Sequence, residues 1–91
     1  MNKRIHLLVS GRVQGVCFRA ETKIRASILG VRGFVKNLEN GQVEIVAEGE
    51  RLKVDKLAQW AKKGPALAKV TSVQILEQEY AGEYKKFSII Y

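Results

Sequence analysis

The run Ser10-Gly11-Arg12-Val13-Gln14-Gly15-Val16-Cys17-Phe18-Arg19 joins an apolar segment to a helical pattern through a turn with two glycines, and it closes on an arginine. Those residue types suit the binding of an oxyanion. Glycines at 11 and 15 let the backbone turn sharply with few side chains in the way, so successive N–H groups can converge on one anion. The start of the following helix adds unpaired N–H groups and a positive dipole end. Arg19 contributes a planar fork of donors that matches a phosphoryl group better than a lysine point charge does. The spacing fits neither G-x-x-x-x-G-K-[ST] nor G-x-G-x-x-G, so nucleotide binding is not what it favours. A plain chain reversal would use the same glycines, and the pattern alone therefore marks a candidate site without naming a reaction.

The elements that would carry this loop can be read from the apolar patterning. Runs at Arg4 to Ser10, Val31 to Asn37, Gln42 to Glu48 and Val70 to Leu76, with a short one at Phe87 to Ile90, read as strands. Ala20, Ile24 and Ile28 recur every four residues before Gly30, which predicts a first helix with these residues on its apolar face and glycine just past its end. Val54, Leu57, Ala58 and Ala61 predict a second helix, closed by Gly64-Pro65. The order is β-α-β-β-α-β with an added terminal strand. This is the α+β, ferredoxin-like split β-α-β sandwich, in which two helices cover one face of a mainly antiparallel sheet. Asn40-Gly41 is the strongest local hairpin signal. No repeat, linker or low-complexity segment divides the chain, so residues 1–91 read as one domain.

The loop, quoted from Gly11 to Arg19, closely resembles the acylphosphatase signature G-R-V-Q-G-V-x-F-R, with Cys17 at the variable position. Two further blocks resemble the family: Gly33-Phe34-Val35-Lys36-Asn37-Leu38-Glu39-Asn40-Gly41-Gln42-Val43-Glu44-Ile45, followed by Glu48-Gly49, and Gly64-Pro65-Ala66 with Ala68-Lys69-Val70. The resemblance covers essentially the whole chain. Asn40 departs from the aspartate usual in the family, but both residues suit a tight turn.

The resemblance implies hydrolysis of the carboxyl-phosphate bond of acyl phosphates to a carboxylate and inorganic phosphate. It implies that Arg19 binds the phosphoryl group and stabilises the transition state, that Asn37 holds the attacking water, and that backbone N–H groups of Gln14, Gly15, Val16, Cys17 and Phe18 hold phosphate oxygens. A carboxylate leaves readily without a general acid, and a loose phosphoryl transition state reduces catalysis mostly to positioning and charge stabilisation. The scheme needs no metal and no cofactor. One histidine and one cysteine cannot form a His/Cys metal cluster. Acetyl phosphate, carbamoyl phosphate and 1,3-bisphosphoglycerate are candidate substrates among which the sequence does not choose.

Other residues carry plainer readings. Cys17, beside an anion loop and a helix start, could become a nucleophile through a lowered pKa, but it fills a position to which the family pattern assigns no chemistry. His6 reads as a strand residue with a satisfied ring, Trp60 as packing, and Tyr80, Tyr84, Phe87 and Tyr91 as sheet packing.

Composition limits the alternatives. Ninety-one residues, 46% of them hydrophobic, suit one self-folding domain that buries roughly 60–65% of its unfolded surface. No run nears the ~20 apolar residues of a membrane span and no signal-peptide core is present, so the expected compartment is the cytoplasm, with no membrane partner. A single cysteine allows no intrachain disulfide. Sixteen Lys and Arg against nine Asp and Glu give a charge of +7, which would draw in an anionic substrate. The cations are scattered, as on an ordinary solvated surface. A small basic nucleic-acid-binding domain shares this element order, but the run Gln42 to Glu48 carries two glutamates where base-stacking modules have aromatic and basic residues. A module assisting carbamoyl-phosphate chemistry within a longer enzyme is a nearer alternative; a free-standing, monomeric hydrolase is the simpler expectation.

Overall fold

The structure, a computed structural model, describes residues 1–91. The elements are β1 (Asn2–Arg12), α1 (Phe18–Leu29), β2 (Arg32–Asn37), β3 (Val43–Glu50), α2 (Arg51–Ala61), β4 (Lys69–Gln78) and β5 (Phe87–Ile90). Alternation in the strands sets the layers. Ile5, Leu7 and Val9 of β1 are buried, and so are their cross-strand partners Ala47, Ile45 and Val43 of β3, which forms one apolar face under the helices. The sheet order is β4-β1-β3-β2-β5; all neighbours are antiparallel except β2 and β5. This is the expected split β-α-β arrangement, with the added strand on the β2 edge.

The second helix buries Val54, Leu57, Ala58 and Ala61, as their spacing predicts. The first helix does not bury its predicted stripe. Phe18, Thr22 and Ala26 face the core, whereas Ala20 is exposed and Ile24 and Ile28 are 58% and 80% exposed. Two residues along a helix turn the face by about 200°. The rotation is fixed by Phe18, which packs against Trp60 with ring centres 5.4 Å apart, and by Thr22, whose hydroxyl donates to the Phe18 carbonyl at 2.7 Å and so loses its polarity. Gly30 does end this helix, at φ 74°, with its N–H on the carbonyls of Ala26 and Ser27.

The connection from β4 to β5 lies across the other sheet face. Glu48, 1% exposed, accepts from the Tyr84 N–H at 3.0 Å, and Arg4 donates to Glu83 at 2.7 Å, a bond that raises the Arg4 pKa against the lowering effect of burial. Tyr84 meets Phe34 edge-on, and Phe87 is buried. His6, on the same face, bonds Glu44 at 2.8 Å, as expected of a satisfied strand residue.

Candidate functional site

The loop between β1 and α1 is held from three sides. The pairing of β1 with β4 shifts between Ser10 and Gly11, and Gly11, at φ 120°, passes so close to the Lys69 carbonyl that a Cβ there would overlap it. Such a bulge bends the strand and re-aims the residues beyond it. Val13 and Val16 then drop into the core, at 1% and 5% exposure. The Gln14 side chain reaches the other way, its Nε2 donating to the carbonyls of Leu38 at 2.8 Å and Gln42 at 2.9 Å.

The backbone so anchored keeps its donors free. The N–H groups of Gln14, Gly15, Val16, Cys17 and Phe18 donate no backbone hydrogen bond, and the first helical bond runs from the Glu21 N–H to the Cys17 carbonyl at 3.1 Å. Gly15 has φ 74°, and Cys17 has φ 66°, the one non-glycine residue at positive φ in the chain. Cys17 is the N-cap of α1 and makes no side-chain cap bond.

A cavity of about 150 Å³ opens against this loop, lined on one side by Gly15, Cys17, Phe18 and Arg19 and on the other by Asn37 at the end of β2. Parallel pairing of β5 on β2 adds Ile89 and Tyr91 to its wall. Arg19 has no ion-pair partner; its Cζ lies 4.9 Å from the centre of the Tyr91 ring. Stacking occupies a face of the guanidinium and leaves the N–H groups on its edge available. The Oδ1 of Asn37 is buried and has no hydrogen-bond partner, a rare and costly state for an acceptor unless something else donates to it. No three His, Cys, Asp or Glu side chains come together as a metal-binding group.

The acylphosphatase family model matches residues 5–89. The chain belongs to the acylphosphatase family. An acylphosphatase of Methylococcus capsulatus is 48% identical over 88 residues, covering 97% of this chain and 96% of the relative. The crystal structure of the Bacillus subtilis acylphosphatase superposes with a TM-score of 0.93 at 35% identity and full coverage of both chains, and the Coxiella burnetii acylphosphatase with 0.92 at 40% identity, covering 98% of this chain and 93% of the other. This acylphosphatase is accordingly a hydrolase of acyl phosphates, and none of its helices is long and apolar enough to cross a membrane.

Of the residues singled out from the loop and from the second block, the fold brings Gly15, Cys17, Phe18, Arg19 and Asn37 to one cavity. Gln14 and Val16 do not line it: the Gln14 side chain is turned to the β2–β3 hairpin and Val16 is sunk in the core. Sequence reasoning missed Ile89 and Tyr91 as wall residues. No local signal could have found them, because their position results from β5 pairing with a strand some fifty residues earlier. The hairpin also differs in detail from a two-residue turn. Leu38 accepts from the Gly41 N–H at 3.2 Å and donates to the Gln42 carbonyl at 2.8 Å, which makes a three-residue turn with Gly41 at φ 93°.

Proposed function

We propose that the loop from Gln14 to Phe18 and the Arg19 guanidinium hold the phosphoryl group of an acyl phosphate, and that Asn37 orients the water that hydrolyses it. One observation carries this reading. Gly15, Cys17 and Phe18, whose backbone donors are unbonded, an arginine free of carboxylates and Asn37, whose amide oxygen has no partner, all line one small cavity. The donors suit phosphate oxygens, and the lone acceptor suits a water O–H.

The chemistry is set by those parts. A water that donates one hydrogen to Asn37 Oδ1 has its lone pairs directed elsewhere, toward phosphorus. Its oxygen forms the new P–O bond as the bond from phosphorus to the carboxyl oxygen breaks, and the carboxylate leaves with the electron pair. The water's protons pass to the phosphate product and to solvent. An amide is too weak a base to take a proton early, which a loose transition state does not demand. Fixed N–H groups and the stacked arginine meet the charge on the equatorial oxygens with no reorganisation at the moment of reaction. A volume of about 150 Å³ has room for a phosphoryl group with a small acyl chain.

The test is phosphate release from acetyl and benzoyl phosphate in chelator by the wild type, Arg19→Ala and Asn37→Ala. Each variant should lose about 10²–10³ in kcat, the usual effect of removing a preorganised donor or positioner. Inorganic phosphate should remain a competitive inhibitor of Asn37→Ala and lose its grip on Arg19→Ala. A folded Arg19→Ala protein with full activity sinks the assignment.

A further inference from the structure

The outer face of the two-helix layer belongs to neither the core nor the cavity. Ile24 and Ile28 stand one turn apart on α1, 58% and 80% exposed, and Leu52 in the first turn of α2 is 64% exposed. Between the helices Arg25 lies over the Trp60 ring at 4.9 Å, which spreads its guanidinium along the surface with the edge donors outward. Lys23, Lys53, Lys56 and Lys63 are exposed on or at the ends of the same helices, and neither they nor Arg25 form an ion pair. The free acid on this side is Glu21. Asp55 is taken by Lys3 at 2.8 Å, and Glu50 caps α2 through the Lys53 N–H.

The chemistry of this face selects its partner. Cations without counter-charges, around exposed aliphatic side chains, complement an anionic and partly apolar surface. A second copy of the chain would set like charges against like, which is repulsive. Protein interfaces are depleted in lysine, which supplies four of the five cations here. Single-stranded nucleic acids stack on aromatic rings, and the one ring on this face already has Arg25 over it. Lys and Arg around exposed Ile and Leu are instead what a helix lying in a lipid headgroup layer presents. Ala20, which begins the Ile24–Ile28 stripe, also lines the catalytic cavity, so the face runs on to the cavity wall. We propose that the outer face of α1 and α2 docks reversibly on an anionic lipid surface, with Ile24, Ile28 and Leu52 entering below the headgroups and the five cations meeting the phosphates. This is peripheral attachment, which needs no helix long and apolar enough to cross a membrane, and it departs from the expectation of no membrane partner.

The experiment is sedimentation of the whole protein with vesicles of phosphatidylcholine alone and of phosphatidylcholine with phosphatidylglycerol. Binding is expected to the second and not the first, and should collapse at about 1 M salt, where screening acts within ~3 Å. Lys53→Gln with Lys56→Gln should weaken partition roughly 25-fold, at about fivefold for each cation lost. Ile24→Ser with Ile28→Ser should weaken it by about tenfold or more, since each aliphatic side chain is withdrawn from water on docking. Urea unfolding checks that each variant is folded. The proposal is overturned if phosphatidylglycerol vesicles do not sediment the wild type. It is also overturned if the isoleucine variant binds as well as the wild type, since attachment would then be net charge alone.

Discussion

The side-chain amide of Gln14 donates to the Leu38 carbonyl at 2.8 Å, and to that of Gln42 at 2.9 Å, so one residue of the anion loop closes over both ends of the hairpin turn that succeeds Asn37. These two carbonyls flank the turn, and Leu38 is the residue next to Asn37 in the chain. The loop carrying the proposed phosphate donors and the strand end carrying the proposed water-orienting amide are thereby locked in mutual register.

Gln14→Ala should therefore affect both stability and rate. It removes a second donor from two carbonyls that each keep a backbone N–H, from Gly41 and from Leu38, so the loss should be about 0.5–1.5 kcal/mol for each bond. It also frees Asn37 to drift relative to the loop, and a misplacement approaching 1 Å can cost up to ~10²-fold. Urea denaturation and kcat on acetyl phosphate measure the two effects. A drop in stability with unchanged kcat would show that the hairpin holds its position without this tie.

Cys17 occupies left-handed backbone space at φ 66° and ψ 19°, where a side chain is strained by roughly 1–3 kcal/mol. Cys17→Gly should relieve that strain. Part of the gain is lost to the greater freedom of glycine in the unfolded chain, so the net rise in stability should be about 0.5–1 kcal/mol. Activity should be kept, because the residue contributes its N–H and no side-chain bond. Loss of activity in a more stable Cys17→Gly protein would assign the thiol a function.

The orientation of α1 makes an ordering of substitutions that is the reverse of what hydrophobicity suggests. Ile28→Ala, at an 80% exposed position, should change unfolding free energy by no more than ~0.5 kcal/mol. Ala26→Leu, at a position with 0% exposure, should destabilise by about 1–3 kcal/mol through overpacking. The opposite order in chemical denaturation would mean that the helix turns its isoleucines inward.

Much of this protein is written locally in its sequence. Period-two alternation places Ile5, Leu7 and Val9 on one face wherever the strand is paired, because successive strand side chains point to opposite sides. Gly30 ends its helix by its own conformational freedom. The anion loop is legible for the same reason: its donors are consecutive peptide groups whose geometry two glycines and a helix start largely determine.

What only the tertiary structure decided depends on groups distant in the chain. The face α1 buries was misread from sequence because Thr22 hides its hydroxyl on the Phe18 carbonyl and so behaves as an apolar residue, while Ile24 and Ile28, apolar by type, find nothing to pack against. Asn37 shares a cavity with Arg19 because β2 ends beside the start of α1, and Tyr91 reaches Arg19 because β5 pairs in parallel with β2. The bond from Gln14 to Leu38 spans twenty-four residues, and no pattern of spacing encodes it. Side-chain type and local backbone preference fix each element and the donors it offers; which donors share a cavity is set by how the elements pack, a property of all their contacts together.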